Sequence, residues 1–289
     1  MKPAQKRQWV ALLAGKFART ERKACRLLGI SRSTCRYVST RRDDLVLRQK
    51  IRAIAQARPR FGYRRIVVML RREGFRVGSE RVRWLYREEG LSLGMKPKWR
   101  RKLASHLQVA APPPMRFQER WSMDFMVDSL LSGRRFRVLT VVDIFSRHSP
   151  IIEADLSLTG SKVVTAQERA AKRTGYPQVI QVDNATEFQS KALDAWAFEH
   201  QLKLDFIRPG KPVDNCHIES VSARLRDECF NANVFVSLAD ARRKIKQWRI
   251  DYNEHRPHSS LGDRSPSELL RKSRSSNEPH SLLKRRLEA

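Results

Sequence analysis

None of the four cysteines, Cys25, Cys35, Cys216 and Cys229, stands in a C-x-x-C pair, and no histidine doublet accompanies them at zinc-finger spacing. A cysteine-built zinc module and a disulfide framework are therefore both excluded as organising principles, and reduced thiols in a cytosolic setting are expected. No apolar run reaches 18 residues, and the first residues lack the apolar stretch of a signal peptide, so an unexported chain is expected. No lipidation signal or amphipathic anchor points to a membrane surface. Internal repeats, extended low-complexity tracts and sustained heptads are missing too. Acidic residues are scarce at the front: residues 1–110 hold 7 against 30 Lys and Arg, a net of +23. Residues 111–289 hold 23 against 29, a net of only +6. A polyanion-binding front and an ordinary enzymatic back would produce this polarity, and it favours nucleic acid over a merely solvated basic surface.

Residues 7–38 carry Trp9, Leu12, Leu13 and Phe17, then Ala24, Leu27 and Leu28, at helical spacing. Within them the run from Ala24 to Tyr37 reads as a helix, a glycine turn at Gly29 and a second helix capped by Ser31, bearing Arg32 and Arg36. A plain α-hairpin fits that run equally well. Three further helices are expected near 44–57, 62–73 and 79–89, broken at Pro59, Gly74 and Gly90, with Ser79 capping the last and Val82, Leu85 and Tyr86 as its buried stripe. Arg58-Pro-Arg-Phe-Gly-Tyr-Arg64-Arg65 mixes cations with aromatics at a helix start, which suits phosphate contact and stacking. The domain division is then an N-terminal helical segment over 1–43, a helix-turn-helix-like module over 44–105 ending in a basic arm, a proline linker over 106–115, a core over 116–271 and a basic, mobile tail over 272–289.

After the linker the period changes. Strands are expected at Trp121–Val127, Phe136–Phe145, Ser149–Leu156, Gln178–Val182 and Leu202–Ile207, with helices over Thr159–Thr174, Ser190–His200, about 214–230 and about 237–255. That order predicts an α/β fold: a mixed five-stranded sheet flanked by helices, of the ribonuclease-H type, preceded by an all-α helix-turn-helix region.

Three acids stand out against this frame. Asp124 lies in the apolar run Trp121–Val127, Asp183 closes Val179-Ile-Gln-Val, and Glu219 heads a helix, with 35 residues between it and Asp183. An unpaired carboxylate at the end of a buried strand costs several kcal/mol. Three that converge repel one another unless a cation neutralises them. In such a sheet the first and fourth strands are neighbours, so the two aspartates face one groove. On a helical wheel Ile218, Val221, Leu225 and Cys229 form the buried face, with Glu219 and Arg226 together at its edge. Hard oxygen donors favour two Mg²⁺ or Mn²⁺ ions and phosphoryl-transfer chemistry. Asp143 competes as a ligand, a neighbour of the ligands or a turn residue. Asp128 reads as solvated, Asp214 as a helix cap, and Glu187 as a group that positions its neighbours or DNA. Arg208, Lys211, Arg256 and His258 are candidate DNA contacts, with a helix-ending role for Arg256-Pro257 as the alternative.

The motifs Trp121-Ser-Met-Asp124-Phe, Val182-Asp183-Asn184 with Glu187-Phe188, Lys211-Pro212 followed by Asn215 and Ile218-Glu219-Ser220, Leu225-Arg-Asp-Glu-Cys229 and Tyr252-Asn-x-x-Arg256-Pro-His-Ser-Ser-Leu-Gly262 together closely resemble one family. It is the second-frame product of bacterial insertion sequences, a DDE transposase with a retroviral-integrase-like core. Phe61-Gly-Tyr-Arg-Arg65 and Arg81-Val-x-x-Leu-Tyr-Arg-Glu-Glu-Gly90 resemble that family's helix-turn-helix segment, and the likeness runs over about residues 44–271. It implies that Asp124, Asp183 and Glu219 bind the metals and that Arg226 faces DNA. It also implies 3′-end cleavage and strand transfer at element ends and target DNA, a homo-oligomer on DNA, an upstream-frame subunit or fusion, and residence in the bacterial cytoplasm at the nucleoid. The chain departs from the family pattern at Ala185 in place of Gly, at His217 in place of Phe, and at Val221-Ser222-Ala223 in place of Phe-Asn-Gly. A DNA-binding repressor and a nuclease acting on RNA–DNA hybrids are the rival readings.

Overall fold

The computed structural model describes residues 3–17, 20–37, 44–93, 113–183, 185–207 and 216–275. The basic arm at 95–105, most of the linker, Asn184, Arg208, Lys211, Asp214 and the end of the tail lie outside them. The chain divides into two compact units, residues 1–47 and residues 48–289.

The first unit contains α1 (Pro3–Lys16), α2 (Glu21–Leu27) and α3 (Arg32–Arg36). The turn between α2 and α3 needs a left-handed residue, supplied by Gly29 at φ +56°, where a Cβ would be strained. Ser31 then caps α3, its hydroxyl accepting from the Thr34 amide at 3.1 Å, as the sequence predicts. The expected apolar stripe is only partly right. Trp9, Leu12, Phe17 and Leu27 are exposed, and the buried set is Val10, Ala24 and Cys25. Helices of 14, 7 and 5 residues have too little facing surface to cover every apolar side chain of an amphipathic pattern.

The division falls within the first turn of α4 (Leu45–Ala57), and the second unit holds the rest of that helix with α5 (Tyr63–Arg72) and α6 (Ser79–Glu88). Their apolar faces bury Ile51, Ile54, Ile66, Val67, Leu70, Val82, Leu85 and Tyr86. The cap of α6 is Gly78, and Ser79 is its first helical residue, which corrects the expected assignment by one position. This module rests on the rest of the unit through polar contacts. Arg58 pairs with Asp251, and Arg72 donates to the His255 and Asp263 carbonyls at 2.8 and 3.1 Å and to Glu268 at 2.7 Å.

The core sheet is built from β1 (Arg120–Ser129), β2 (Arg135–Asp143), β3 (Ile152–Asp155), β4 (Val179–Val182) and β5 (Lys203–Phe206), in the spatial order β3-β2-β1-β4-β5. Strands β1, β2 and β3 form an antiparallel meander, while β4 and β5 run parallel to β1. Parallel neighbours need crossovers, supplied by α7 (Gly160–Thr174) and α8 (Lys191–Glu199). Trp121, Met123, Ile180 and Val182 pack on the face covered by α7 and α8, with Val163, Ala166, Ala170, Leu193 and Trp196. On the opposite face Met126, Phe136 and Val138 meet Leu225, Cys229, Ala241 and Ile245. Those residues come from α9 (Cys216–Leu225), the π-helical turn Arg226–Phe230 and α10 (Leu238–Glu254). The sequence-predicted mixed five-stranded sheet flanked by helices is therefore present. The last helix, α11 (Pro266–Ser275), carries Leu269 inward, so the expected mobile tail is still helical at Lys272–Ser275.

Candidate active site

Strand register brings the two aspartates together. Ser122 of β1 is paired with Gln181 of β4, and Asp124 and Asp183 each lie two residues further on. Parallel neighbours are about 4.8 Å apart, and a two-residue step returns to the same face. Both acids therefore point to the face of α9, opposite the Trp121–Met123 face. Helix α9 packs Ile218, Val221, Ser222 and Leu225 inward. Ser222 donates to Asp124 Oδ2 at 3.0 Å. Glu219 sits one turn before Ser222 on the same side of the helix and remains exposed. Thr140, opposite Asp124 on β2, donates to the Asp124 carbonyl at 3.1 Å and lies 3.4 Å from the Ser222 hydroxyl.

The electrostatics report the same convergence. Burial pushes the Asp124 carboxyl above the usual carboxylate range, and the charges of Asp183 and Glu219 raise it further, while the Ser222 hydrogen bond pulls it back. A divalent cation among these oxygens would remove both the repulsion and the desolvation cost, so the donor set fits a hard metal ion. The three carboxylates do not close to a single tight cluster. Among the described residues the one His/Cys/Asp/Glu trio with ligand atoms all within 4.8 Å of one another is Glu21, Cys25 and Cys35. There Glu21 is ion-paired to Arg36 at 2.8 Å.

The other candidates separate by burial. Asp143 is fully buried at the end of β2. It accepts from the Gln118 amide at 2.9 Å and from the Ser146 amide and hydroxyl at 2.7 and 2.6 Å, which is the turn role. Burial pushes its carboxyl up to about 6. Glu187 is ion-paired to Arg137, whose guanidinium lies 4.4 Å over the Phe125 ring. Asp128 accepts from the Ser129 amide at 2.8 Å at the end of β1. Arg226 is exposed at the first residue of the π-helical turn, donating to the Val127 carbonyl at 3.4 Å. Arg64 is exposed beside the Tyr63 hydroxyl at 3.3 Å, whereas Arg65 is half-buried.

Arg256 and His258, both expected as candidate DNA contacts, are buried. Arg256 is 2 % exposed and ion-paired to Glu228, and His258 is 6 % exposed with its ring edge-on to Tyr252. Burial, with the charges of Arg256, Arg224 and Arg65, pushes His258 down to about 3 and keeps it neutral. A cation-rich stretch reads as surface until the fold shows that α10 turns it inward.

Ser222 and Thr140 escaped the sequence reading because hydroxyls are ubiquitous. The signal was present: Thr140 shares the strand phase of Asp124, and Ser222 follows Glu219 by three residues. Ser222→Ala is expected to raise the metal concentration needed for activity ~10-fold or more, as loss of an outer partner of a ligand does, with Ser222→Thr restoring it. A Mn²⁺ titration of DNA nicking measures this, and an unchanged requirement would remove Ser222 from the site.

Comparison with known proteins agrees with this geometry. Integrase core domain models match residues 115–212 and 200–266, and an HTH-like domain model matches residues 41–102. The "Insertion element IS407 uncharacterized 31.7 kDa protein" of Burkholderia multivorans is 42% identical over 88% of this chain and 92% of its own length. The "Insertion element IS476 uncharacterized 39.2 kDa protein" of Xanthomonas euvesicatoria is 37% identical over 92% of this chain and 77% of its own. Among solved structures, a chain of the simian T-cell lymphotropic virus intasome in complex with PP2A regulatory subunit B56 gamma shares the fold, with a TM-score of 0.51 and 12% identity over 80% of this chain and 78% of that one. The chain thus belongs to the insertion-element DDE transposases with an integrase core, DNA-binding enzymes that cut 3′ ends and transfer strands in a metal-dependent reaction.

Proposed function

We propose that Asp124, Asp183 and Glu219 are the metal-holding acids of this transposase and that the site takes two Mg²⁺ or Mn²⁺ ions. The observation that carries this reading is the β1–β4 register, which aligns Asp124 with Asp183, together with the mutual charge of all three acids felt at Asp124. When bound, the ions would activate the attacking oxygen and stabilise the leaving one. The chain's own part is positioning. Ser222 and Thr140 hold Asp124 from two sides, β4 delivers Asp183 at its carboxyl end, and α9 leans Glu219 over the groove. DNA supplies both the nucleophile and the electrophile, so orientation and charge neutralisation account for the rate enhancement.

In this reading residues 44–105 form the DNA-reading module and residues 116–271 the catalytic core. Arg226 and Arg64 face the polyanion, with Arg208 and Lys211 on the segment leading into α9. The protein assembles as a homo-oligomer on element ends and target DNA, with an upstream-frame subunit or fusion contributing end recognition, at the bacterial nucleoid. Among the described residues no helix is long and apolar enough to cross a membrane.

Purified protein, Mn²⁺ and a labelled element-end duplex test the proposal. Metal-dependent 3′ nicking followed by joining is the expected outcome. Binding without any metal-dependent cleavage would overturn it in favour of a repressor, and cleavage confined to RNA–DNA hybrids would overturn it in favour of a ribonuclease.

A further inference from the structure

The site leaves a dense group of cations unused. Helix α9 carries Glu219 at one edge of its buried face, and His217, Ser220 and Arg224 at the other. Beyond that second edge Arg224, Arg256 and Arg147 lie around the fully buried Tyr252, and a fourth guanidinium, Arg65, shares the Phe61 ring with Arg256, at 5.4 and 5.5 Å from its centroid. Arg224 comes from α9, Arg147 from the turn after β2, Arg256 from the end of α10, and Arg65 from α5 of the helix-turn-helix-like module. Arg256 acts on Arg65 and Arg224, and Arg224 acts on Arg65 and Arg147. Burial, then Arg256, then Arg224 push Arg65 down to about 10, despite Glu228 and Asp263. Arg224 is lowered by burial and then by Arg256, and Arg147 by burial and by Arg224.

Among the described residues the carboxylates within reach do not balance this charge. Glu228 is already paired with Arg256. Asp263 faces Arg65, and Asp143, which faces Arg147, is committed to Gln118 and Ser146. His258 stays neutral, pushed down to about 3. Two buried guanidinium nitrogens, Arg147 Nη1 and Arg256 Nε, and the buried His258 Nε2 have no hydrogen-bond partner among the described residues. Arg147 also holds a left-handed backbone, φ +63°, which a non-glycine residue adopts at a cost. Desolvated like charges and unsatisfied donors both destabilise a fold, and an oxyanion relieves both at once. Guanidinium forks match phosphate oxygens, and the residues come from both the DNA-reading module and the catalytic core.

The geometry points to a seat for a phosphate group, occupied by one backbone phosphate of bound DNA, formed by Arg65, Arg147 and Arg224 over a floor of Arg256, Tyr252 and His258. It lies across α9 from the three acids, so the strand it holds is gripped away from the reacting phosphate. The seat ties the module carrying Arg65 to the core carrying Arg224 when DNA is present. This inference rests on DNA being the substrate, but not on the assignment of the metal ligands.

The test uses the full chain without divalent metal, so that failure here leaves the three acids untouched. Thermal melting is followed in inorganic phosphate and in chloride of equal ionic strength. Duplex affinity is measured against salt for the unaltered protein, Arg224→Met and Arg65→Met. Phosphate is expected to raise the melting temperature by ~5 °C, as a saturating ligand of the folded state does. Arg224→Met is expected to melt at or above the unaltered protein in chloride, because a repulsion is relieved, and to lose most of the phosphate effect. Both variants should reduce the log-affinity against log-salt slope by about 1, the signature of one lost phosphate contact. A marked drop in melting temperature with an unchanged slope in both variants would overturn the proposal and make the cluster structural. Phosphate stabilisation with unchanged slopes would mean a free-anion site and would overturn its assignment to DNA.

Discussion

Asp183→Asn is expected to lose DNA end joining by ~10³-fold or more, the scale of removing a preorganised charge from a water-poor site, while duplex binding is retained. The substitution keeps the shape of the side chain, and its amide oxygen can still accept from the Ala185 amide, now 3.0 Å from Asp183 Oδ1. What disappears is the charge. Without it the groove between β1 and α9 no longer presents enough negative potential to hold two hard cations. The same change should be felt next door. Asp183 is one of the groups that raise Asp124, so Asp183→Asn lets the Asp124 carboxyl fall back towards its ordinary range. In metal-free buffer the variant should therefore melt no lower than the unaltered protein. Labelled-end gels, fluorescence anisotropy and melting read these three outcomes. Joining at more than a tenth of the normal level would remove Asp183 from the ligand set. Lost binding together with lost joining would point to a folding defect, which Asp124→Asn and Glu219→Gln would then have to bypass.

Glu228→Gln is expected to destabilise the protein more than any change in the active-site acids. Glu228 and Arg256 are buried, 14% and 3% exposed at their side chains, and paired. The Trp248 indole also donates to Glu228 Oε2, at 3.3 Å. Removing one member of a buried pair leaves an uncompensated charge and costs ~3–5 kcal/mol. Here the guanidinium left behind sits among Arg65 and Arg224, so the loss falls at the upper end of that range. In a unit of this size it corresponds to a melting temperature lower by on the order of 10 °C. Calorimetry checks it, and a shift below about 2 °C would mean that water screens the pair and that the region around Tyr252 is wetter than its burial implies.

The fold and the three acids could be read from the chain for the same reason: both depend on short-range pattern. Alternation along Trp121–Val127, the short apolar run Val179–Val182 and the spacing of Ile218, Val221 and Leu225 each set a local face. Once β1 and β4 are neighbours, those faces leave little choice about where Asp124, Asp183 and Glu219 point. Positions that depend on distant packing were less legible. Arg256 and His258 follow the end of α10, and their burial depends on packing against Phe61 and Tyr252, which no local pattern gives. The helix carrying Glu219 was expected to continue regularly to about residue 230. It ends at Leu225 and widens into a π-helical turn over Arg226–Phe230, so a wheel drawn at 100° per residue misplaces side chains beyond Leu225. In the first unit Trp9, Leu12 and Phe17 have the spacing of a buried face yet are exposed, the described helices α2 and α3 being too short to cover them. The partners Ser222 and Thr140 were visible only as phases of a strand and a helix, and phase says which face a hydroxyl occupies without saying what it touches.

Anomalous diffraction from crystals grown with Mn²⁺ examines the central claim most directly. Two manganese peaks on the α9 side of the sheet, both ligated by oxygens drawn from Asp124, Asp183 and Glu219, are predicted, with Ser222 still bound to Asp124. Manganese bound elsewhere, with Glu219 turned away from the aspartates at saturating metal, would contradict it.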